Sequence, residues 1–276
     1  MQEVHVRLML TLAYDGRHYL GFQRQKNTNS NKAKAIQAKA IQNVLEECLS
    51  TLYNRFVKTI ASGRTDRGVH ADGQIVVFDL SENEASRISF EKLKNLLNHF
   101  LPNDIRVLAI RKISCLFHPR HHAMARHYQY RLLYEKSRHD PAKTTKTAYC
   151  PYEIDVNRLN QYLSFFCGTH DFSTFCSTLD PSEIRIRKIY LSHAYRSFSN
   201  PNEIVIDFIG NAFLRSMIRS IVGNSLSMMK KGENPKMIET MLEQKNPLIA
   251  KHRANANGLT LVAVYYTPIF PISQTR

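Results

Sequence analysis

With 276 residues, 43% of them apolar, the chain is long enough for one large domain or two smaller ones around a sizeable core. Its 38 Lys and Arg against 23 Asp and Glu leave a formal charge of +15, which points to a polyanionic partner, nucleic acid ahead of a membrane surface. No apolar run approaches the ~18 residues of a transmembrane helix, and the widely spaced cysteines lack a C-x-x-C pair, which argues against a disulfide frame or zinc knuckle.

Met1–Val6 opens directly on strand-like alternation, so no signal peptide is expected and the protein is placed in the cytoplasm. Val6, Leu8, Leu10, Leu12 and Tyr14 form the buried side of a first strand. Ala33–Gln37 is repeated at once as Ala38–Gln42 behind the polar run Asn27–Asn31; no chemistry is read into this Asn27–Ala40 stretch. Ile41, Val44, Leu45, Cys48 and Leu52 recur at helical spacing, and Phe56–Ala61 and Ile75–Leu80 read as strands around a polar, glycine-containing loop. Ser89 is the N-cap of a helix whose apolar face is Phe90, Leu93, Leu96, Leu97 and Phe100. Ile105, Val107 and Ala109 belong to a strand ending near Ser114, so residues 1–115 read βαββαβ.

Residues 116–276 repeat that order. Tyr128, Tyr130, Leu132 and Tyr134 alternate along a strand, and Asp155 caps a helix through Val156, Leu159, Leu163 and Phe166 that Gly168 stops. Ile184–Tyr195 and Glu203–Ile209 are strands, Leu214, Met217, Ile218, Ile221 and Val222 mark a helix, Asn234-Pro235 starts a short extra one, and Leu259–Tyr266 closes the set. The predicted class is α+β: two ferredoxin-like halves sharing a mostly antiparallel central sheet, with helices on one face. The other face is then open for a ligand, a layout used by RNA-recognition modules, although a fold alone does not give a function.

The loop Ser62–Gly73 is the richest segment. Its glycines admit backbone angles and close approaches that side chains forbid, and Asp66 sits between Arg64 and Arg67 as an anchor or nucleophile needs. The plainer alternative is a hairpin loop with a solvated charge cluster. From Arg111 to His139 seven cations face the single acid Glu135, interleaved with Tyr128, Tyr130 and Tyr134, which suits a phosphate-tracking surface with stacking rings. Arg126, Tyr128 and Tyr130 fall on one strand face; the alternative is that the tyrosines pack under a helix. His118, His121 and His122 lack the Glu and the helix of a zincin motif, so no metal is expected. Arg219, amid Met217, Ile218, Ile221 and Val222, needs an anionic partner if partly buried, and Asp66 is a candidate. The alternative is a helix-surface arginine whose stem covers apolar neighbours. No Walker loop or Rossmann fingerprint is present.

Gly63-Arg64-Thr65-Asp66-Arg67-Gly68-Val69-His70-Ala71 resembles the catalytic motif of the TruA-type tRNA pseudouridine synthases. The resemblance runs in order along the chain: Tyr14-Asp15-Gly16, Gly21-Phe22-Gln23-Arg24-Gln25, Leu101-Pro102-Asn103-Asp104-Ile105, Phe117-His118, Ala125–Tyr130, Gly168–Phe175, Asn211-Ala212-Phe213-Leu214, Met217-Ile218-Arg219 and Gly258-Leu259. Arg67 stands where a small residue is usual, Phe22 replaces the usual tryptophan, and the Asn27–Ala40 stretch is longer than typical.

The resemblance implies isomerisation of uridine to pseudouridine in the tRNA anticodon stem-loop, at positions 38, 39 and 40, with no cofactor and no metal. Asp66 would be the nucleophile, Tyr128 would stack on the uracil and help move a proton, and Arg219 would pair with Asp66. Arg64 would contact the RNA backbone and hold the flipped nucleotide, Arg126 would bind substrate on the Tyr128 face, and Leu259 would form an apolar wall. A homodimer with one tRNA across both subunits is also implied. The rival readings are a non-catalytic RNA-binding module on the same fold, and a synthase of this fold acting on another RNA.

Overall fold

The computed structural model describes residues 5–24, 39–134 and 145–267. Most of the tandem repeat in Asn27–Ala40, and Glu135, Lys136, Arg138 and His139 of the basic run, lie outside the described residues. The chain divides into two compact units, Met1–Ala123 and Met124–Arg276.

The first unit runs β1 (His5–Tyr14), α1 (Ile41–Tyr53), β2 (Thr59–Ala61), β3 (His70–Ser81), α2 (Glu82–Ser86), α3 (Phe90–Phe100) and β4 (Ile105–Ile113). Its strands lie in the order β4-β1-β3-β2, all antiparallel. Strict alternation makes β1: Leu8, Leu10 and Leu12 are fully buried while Arg7, Met9 and Thr11 are half-buried. Leu8 pairs with Phe78 and Leu10 with Val76, so each rung adds two side chains to the same core layer. Ile41, Leu45 and Leu49 of α1 and Leu93 and Leu97 of α3 supply the helical side of this core.

The helix expected from Ile41, Val44, Leu45, Cys48 and Leu52 is α1; its buried stripe is Ile41, Leu45 and Leu49, with Val44, Cys48 and Leu52 half-buried. Buried Glu46 accepts from the Thr59 N–H at 2.9 Å and from Thr59 Oγ1 at 3.0 Å, tying α1 to the start of β2. Ser89 caps α3 as expected, but Phe100 is 56% exposed; Leu101, whose N–H still reaches the Leu97 carbonyl, takes the buried place. Strand β3 begins at His70 rather than near Ile75, which shortens the loop after β2 to residues 62–69.

The second unit runs β5 (Ala125–Tyr134), β6 (Ala148–Cys150), α4 (Val156–Ser164), β7 (Gly168–Asp171), β8 (Ile186–Arg196), β9 (Glu203–Gly210), α5 (Met217–Lys231), α6 (Met237–Gln244) and β10 (Leu259–Tyr265). The antiparallel order is β10-β5-β9-β8-β7, and β6 adds a parallel partner to β5. Without β6 and β7, which sequence alternation did not show, β5, α4, β8, β9, α5 and β10 repeat the order of the first unit. The α+β class with mostly antiparallel pairing is thus observed. Asp155 caps α4 by accepting from the Arg158 N–H at 3.0 Å, as its sequence position predicts. Among the described residues no helix is long and apolar enough to cross a membrane.

Candidate active site

The loop between β2 and β3 is held by hydrogen bonds on both sides of Asp66. Ser62 donates its N–H to the Ile75 carbonyl at 2.8 Å and its hydroxyl to Gln74 Oε1 at 2.7 Å, and Gln74 Nε2 donates to the Gly63 carbonyl at 3.1 Å. Thr65 is buried; its hydroxyl lies 2.8 Å from the Tyr14 hydroxyl and its carbonyl accepts from the Phe22 N–H at 3.1 Å. The Val69 N–H returns to the Asp66 carbonyl at 3.1 Å across Gly68, whose φ is 80°. Asp66 itself is half-exposed, and Arg64 and Arg67 on either side are exposed. A fixed backbone thus offers one carboxylate between two cations.

Residues 14–22 form the floor of this loop, which explains why glycines stand there. A Cβ on Gly16 would lie 1.9 Å from the Val69 carbonyl oxygen, and one on Gly21, at φ 97°, would lie 2.7 Å from that of Thr65. Asp15 caps the single helical turn Gly16–His18, accepting from the Arg17 N–H at 3.1 Å and from Arg17 Nη2 at 2.6 Å. Burial works to raise the Asp15 carboxyl, but the Arg17 hydrogen bonds and nearby His70 outweigh it and hold it below the usual carboxylate range. Fully buried His70 lies with Nδ1 3.3 Å from Asp15 Oδ1, linking the turn to the first residue of β3. Sequence reading missed Asp15, His70 and Gln74 as supports of the loop; Asp15 lies in the Tyr14-Asp15-Gly16 motif and His70 in Gly63–Ala71, while Gln74 carries no local signal.

In the second unit the expected face of β5 forms. Arg126, Tyr128 and Tyr130 are all buried on it, but to different ends. Tyr130 is fully buried and donates its hydroxyl to the Asn255 carbonyl at 2.9 Å, so it packs the core instead of offering a stacking ring. Burial pushes its hydroxyl up, with Arg219 opposing. Tyr128, 8% exposed, meets Phe213 edge-on at 5.3 Å between centroids. Arg126 donates Nη1 to the Asn211 carbonyl, which holds the segment after β9 against β5. Leu259 opens β10 opposite Tyr130 and is buried. Arg219, half-buried on α5, donates Nε to the Ala254 carbonyl at 2.9 Å while the Ala254 N–H returns to the Arg219 carbonyl at 2.9 Å. Just before α5, Ser216 sits at φ 61°, a strained angle for a residue with a side chain.

The basic run is less uniform than its sequence suggests. Arg131 donates to Glu203 at 2.8 Å and to Gln129 at 3.0 Å, and His127 lies 2.7 Å from Asp207, so both side chains serve the pairing of β5 with β9. Burial works to raise the Asp207 carboxyl, and the His127 hydrogen bond brings it below its ordinary value. Arg111 and Lys112 remain exposed at the end of β4. Among the described residues no group of three or more His, Cys, Asp or Glu is arranged to hold a metal ion.

A family model described as tRNA pseudouridine synthase matches residues 11–122 and 163–267. The tRNA pseudouridine synthase A of Borrelia garinii subsp. bavariensis is 35% identical over 261 residues, 94% of this chain and 99% of that protein. The tRNA pseudouridine synthase A 1 of Bacillus cereus is 34% identical over 263 residues, 94% of this chain and 98% of that protein. A solved chain from a Cbf5-Nop10-Gar1 complex aligns with TM-score 0.37 and 10% identity over 92% of this chain and 48% of that one, too loose a likeness to argue from. The chain belongs to the TruA family of tRNA pseudouridine synthases.

Proposed function

We propose that this enzyme isomerises uridine to pseudouridine in the anticodon stem-loop of tRNA, at positions 38, 39 and 40, with Asp66 as the nucleophile and no cofactor. The observation that carries the reading is the pinned loop: a half-exposed carboxylate between exposed Arg64 and Arg67, on a backbone fixed by Tyr14, Phe22 and Gln74. The reaction breaks a carbon–nitrogen glycosidic bond, holds the freed base while it turns, and joins carbon to the same sugar. A carboxylate serves every stage, because it can engage the nucleotide covalently or assist elimination and then leave.

The target base is unreachable inside a stem, so the nucleotide is extruded first. Arg64 holds its backbone from the exposed side of the loop. Tyr128, kept upright by the edge of Phe213, stacks on the uracil and hands on a proton through its hydroxyl. Arg219, whose direction is set by the Ala254 carbonyl, supplies the positive partner for Asp66. Arg126 adds buried positive charge on the Tyr128 face, and Leu259 walls the base with apolar surface. The protein works in the cytoplasm as a homodimer, one tRNA lying across both subunits.

Incubation with tRNA carrying tritium at uracil carbon 5 tests the reading. Isomerisation releases tritium to water, and binding alone does not. Release confined to the anticodon stem-loop supports it; bound tRNA with no release would leave an RNA-binding module, and release from another region would move the substrate elsewhere.

A further inference from the structure

We propose that Arg67 is a substrate-positioning residue that grips one of the two phosphates flanking the target uridine and so fixes the pivot about which that nucleotide flips. The inference rests on the reading of Asp66 as the reacting carboxylate. It goes beyond that reading in assigning an RNA contact to Arg67.

Three other arginines of the first unit are spent on carboxylates. Arg7 is bridged to Asp79 at 2.7 Å, Arg17 to Asp15 at 2.6 Å and Arg55 to Glu84 at 2.7 Å. Arg67 is exposed and has no hydrogen-bond, ion-pair or aromatic partner among the described residues. Its backbone, in contrast, is fixed on both sides. Residue 66 is closed onto Val69 at 3.1 Å, Gly68 turns the chain at φ 80°, and Gly21 lies so close that a Cβ there would stand 3.2 Å from the Arg67 nitrogen. The fixed backbone spares the loop an ordering cost when the side chain binds, and the planar guanidinium fork matches two phosphate oxygens.

Position selects the phosphate. Consecutive Cα atoms lie ~3.8 Å apart, so Arg67 starts beside the carboxylate that meets the target nucleotide. The phosphates nearest that nucleotide are the two that flank it. Extrusion swings the nucleotide about its own backbone, and anchoring one flanking phosphate turns a free swing into rotation about a held point.

The test pairs variants with substrate charge deletion. Affinity is measured in the Asp66→Asn background, to keep chemistry out of the reading, for Arg67, Arg67→Ala and Arg67→Lys, with tRNA bearing a neutral methylphosphonate at either flanking position. With unmodified tRNA, Arg67→Ala should weaken binding several-fold and reduce the slope of log affinity against log salt by about 0.7–0.9. Arg67→Lys should restore the slope but only part of the affinity. One methylphosphonate should weaken binding to the Arg67 protein, and the same change should cost Arg67→Ala nothing further, the signature of a direct pair. An unchanged slope, or additive losses at both flanking positions, overturns the proposal. Tritium release by the unaltered enzyme is measured beside it: with release present and these results absent, only the role of Arg67 falls; with release absent, the reading of the site falls.

Discussion

Asp66, Arg64 and Arg67 were visible as a charge cluster in the sequence because charge in a loop has nothing to hide it. Their supports were not visible. Nothing in Tyr14, Phe22 or Gln74 as isolated residues announces that a hydroxyl, a backbone N–H and an amide hold the loop; that follows only once β1 and β3 are paired and Gly16 and Gly21 let the chain press beneath. The tyrosines of β5 show the converse limit. Alternation put Arg126, Tyr128 and Tyr130 on one face correctly, but period alone cannot tell the ring proposed to meet substrate, Tyr128, from one whose hydroxyl is spent on Asn255. The distinction predicts different mutants. Tyr128→Phe should bind tRNA almost normally and lose much of the rate, since only the hydroxyl is removed. Tyr128→Leu should fall further, base–aromatic stacking being worth ~1–3 kcal/mol. Single-turnover rates near those of the unaltered enzyme for both would make Tyr128 a packing residue.

At the scale of elements, long periodic segments were legible and short ones were not. Ten residues of alternation identify β1, whereas β6 and β7, with three and four residues, are too brief for a period to register. Helix α2 shows a local signal that went unread: the Ser81 hydroxyl accepts from the Glu84 N–H at 3.3 Å and Glu84 returns to the Ser81 N–H at 2.8 Å, a reciprocal cap. Arg55 adds two 2.7 Å hydrogen bonds to Glu84, tying α2 to the segment ahead of β2. Those Arg55 bonds lower the Glu84 carboxyl to about 2 against a partial opposing effect of burial. A carboxyl lowered on folding stabilises fully above its unfolded value and loses that contribution as pH falls through the folded one. Denaturation midpoints should therefore show Glu84→Gln less stable than the parent at neutral pH, the gap closing as pH drops from about 4.5 towards 2. A gap that stays constant over that window would show that the ion pair is not what holds α2.

For the whole molecule, the +15 charge was a sound guide to the class of partner but a poor guide to which cations meet it. The run from Arg111 to His139 looks like one strip in sequence, yet the strand pairing commits Arg131 to Glu203 and His127 to Asp207. Neutralising Arg111 and Lys112 together should flatten the salt dependence of tRNA binding by roughly one unit of slope per lost phosphate contact, and Arg131→Gln should barely change it. Equal effects would mean that the Glu203 pair opens on binding. The central claim is that Asp66 performs chemistry on a tRNA that the rest of the molecule binds without it. The most direct measurement sets tRNA affinity beside tritium release for the unaltered enzyme and Asp66→Asn, whose amide keeps the shape of the carboxylate but is a far poorer nucleophile. The expected result is affinity within a few-fold and turnover abolished; substantial release by rigorously purified Asp66→Asn would contradict the account.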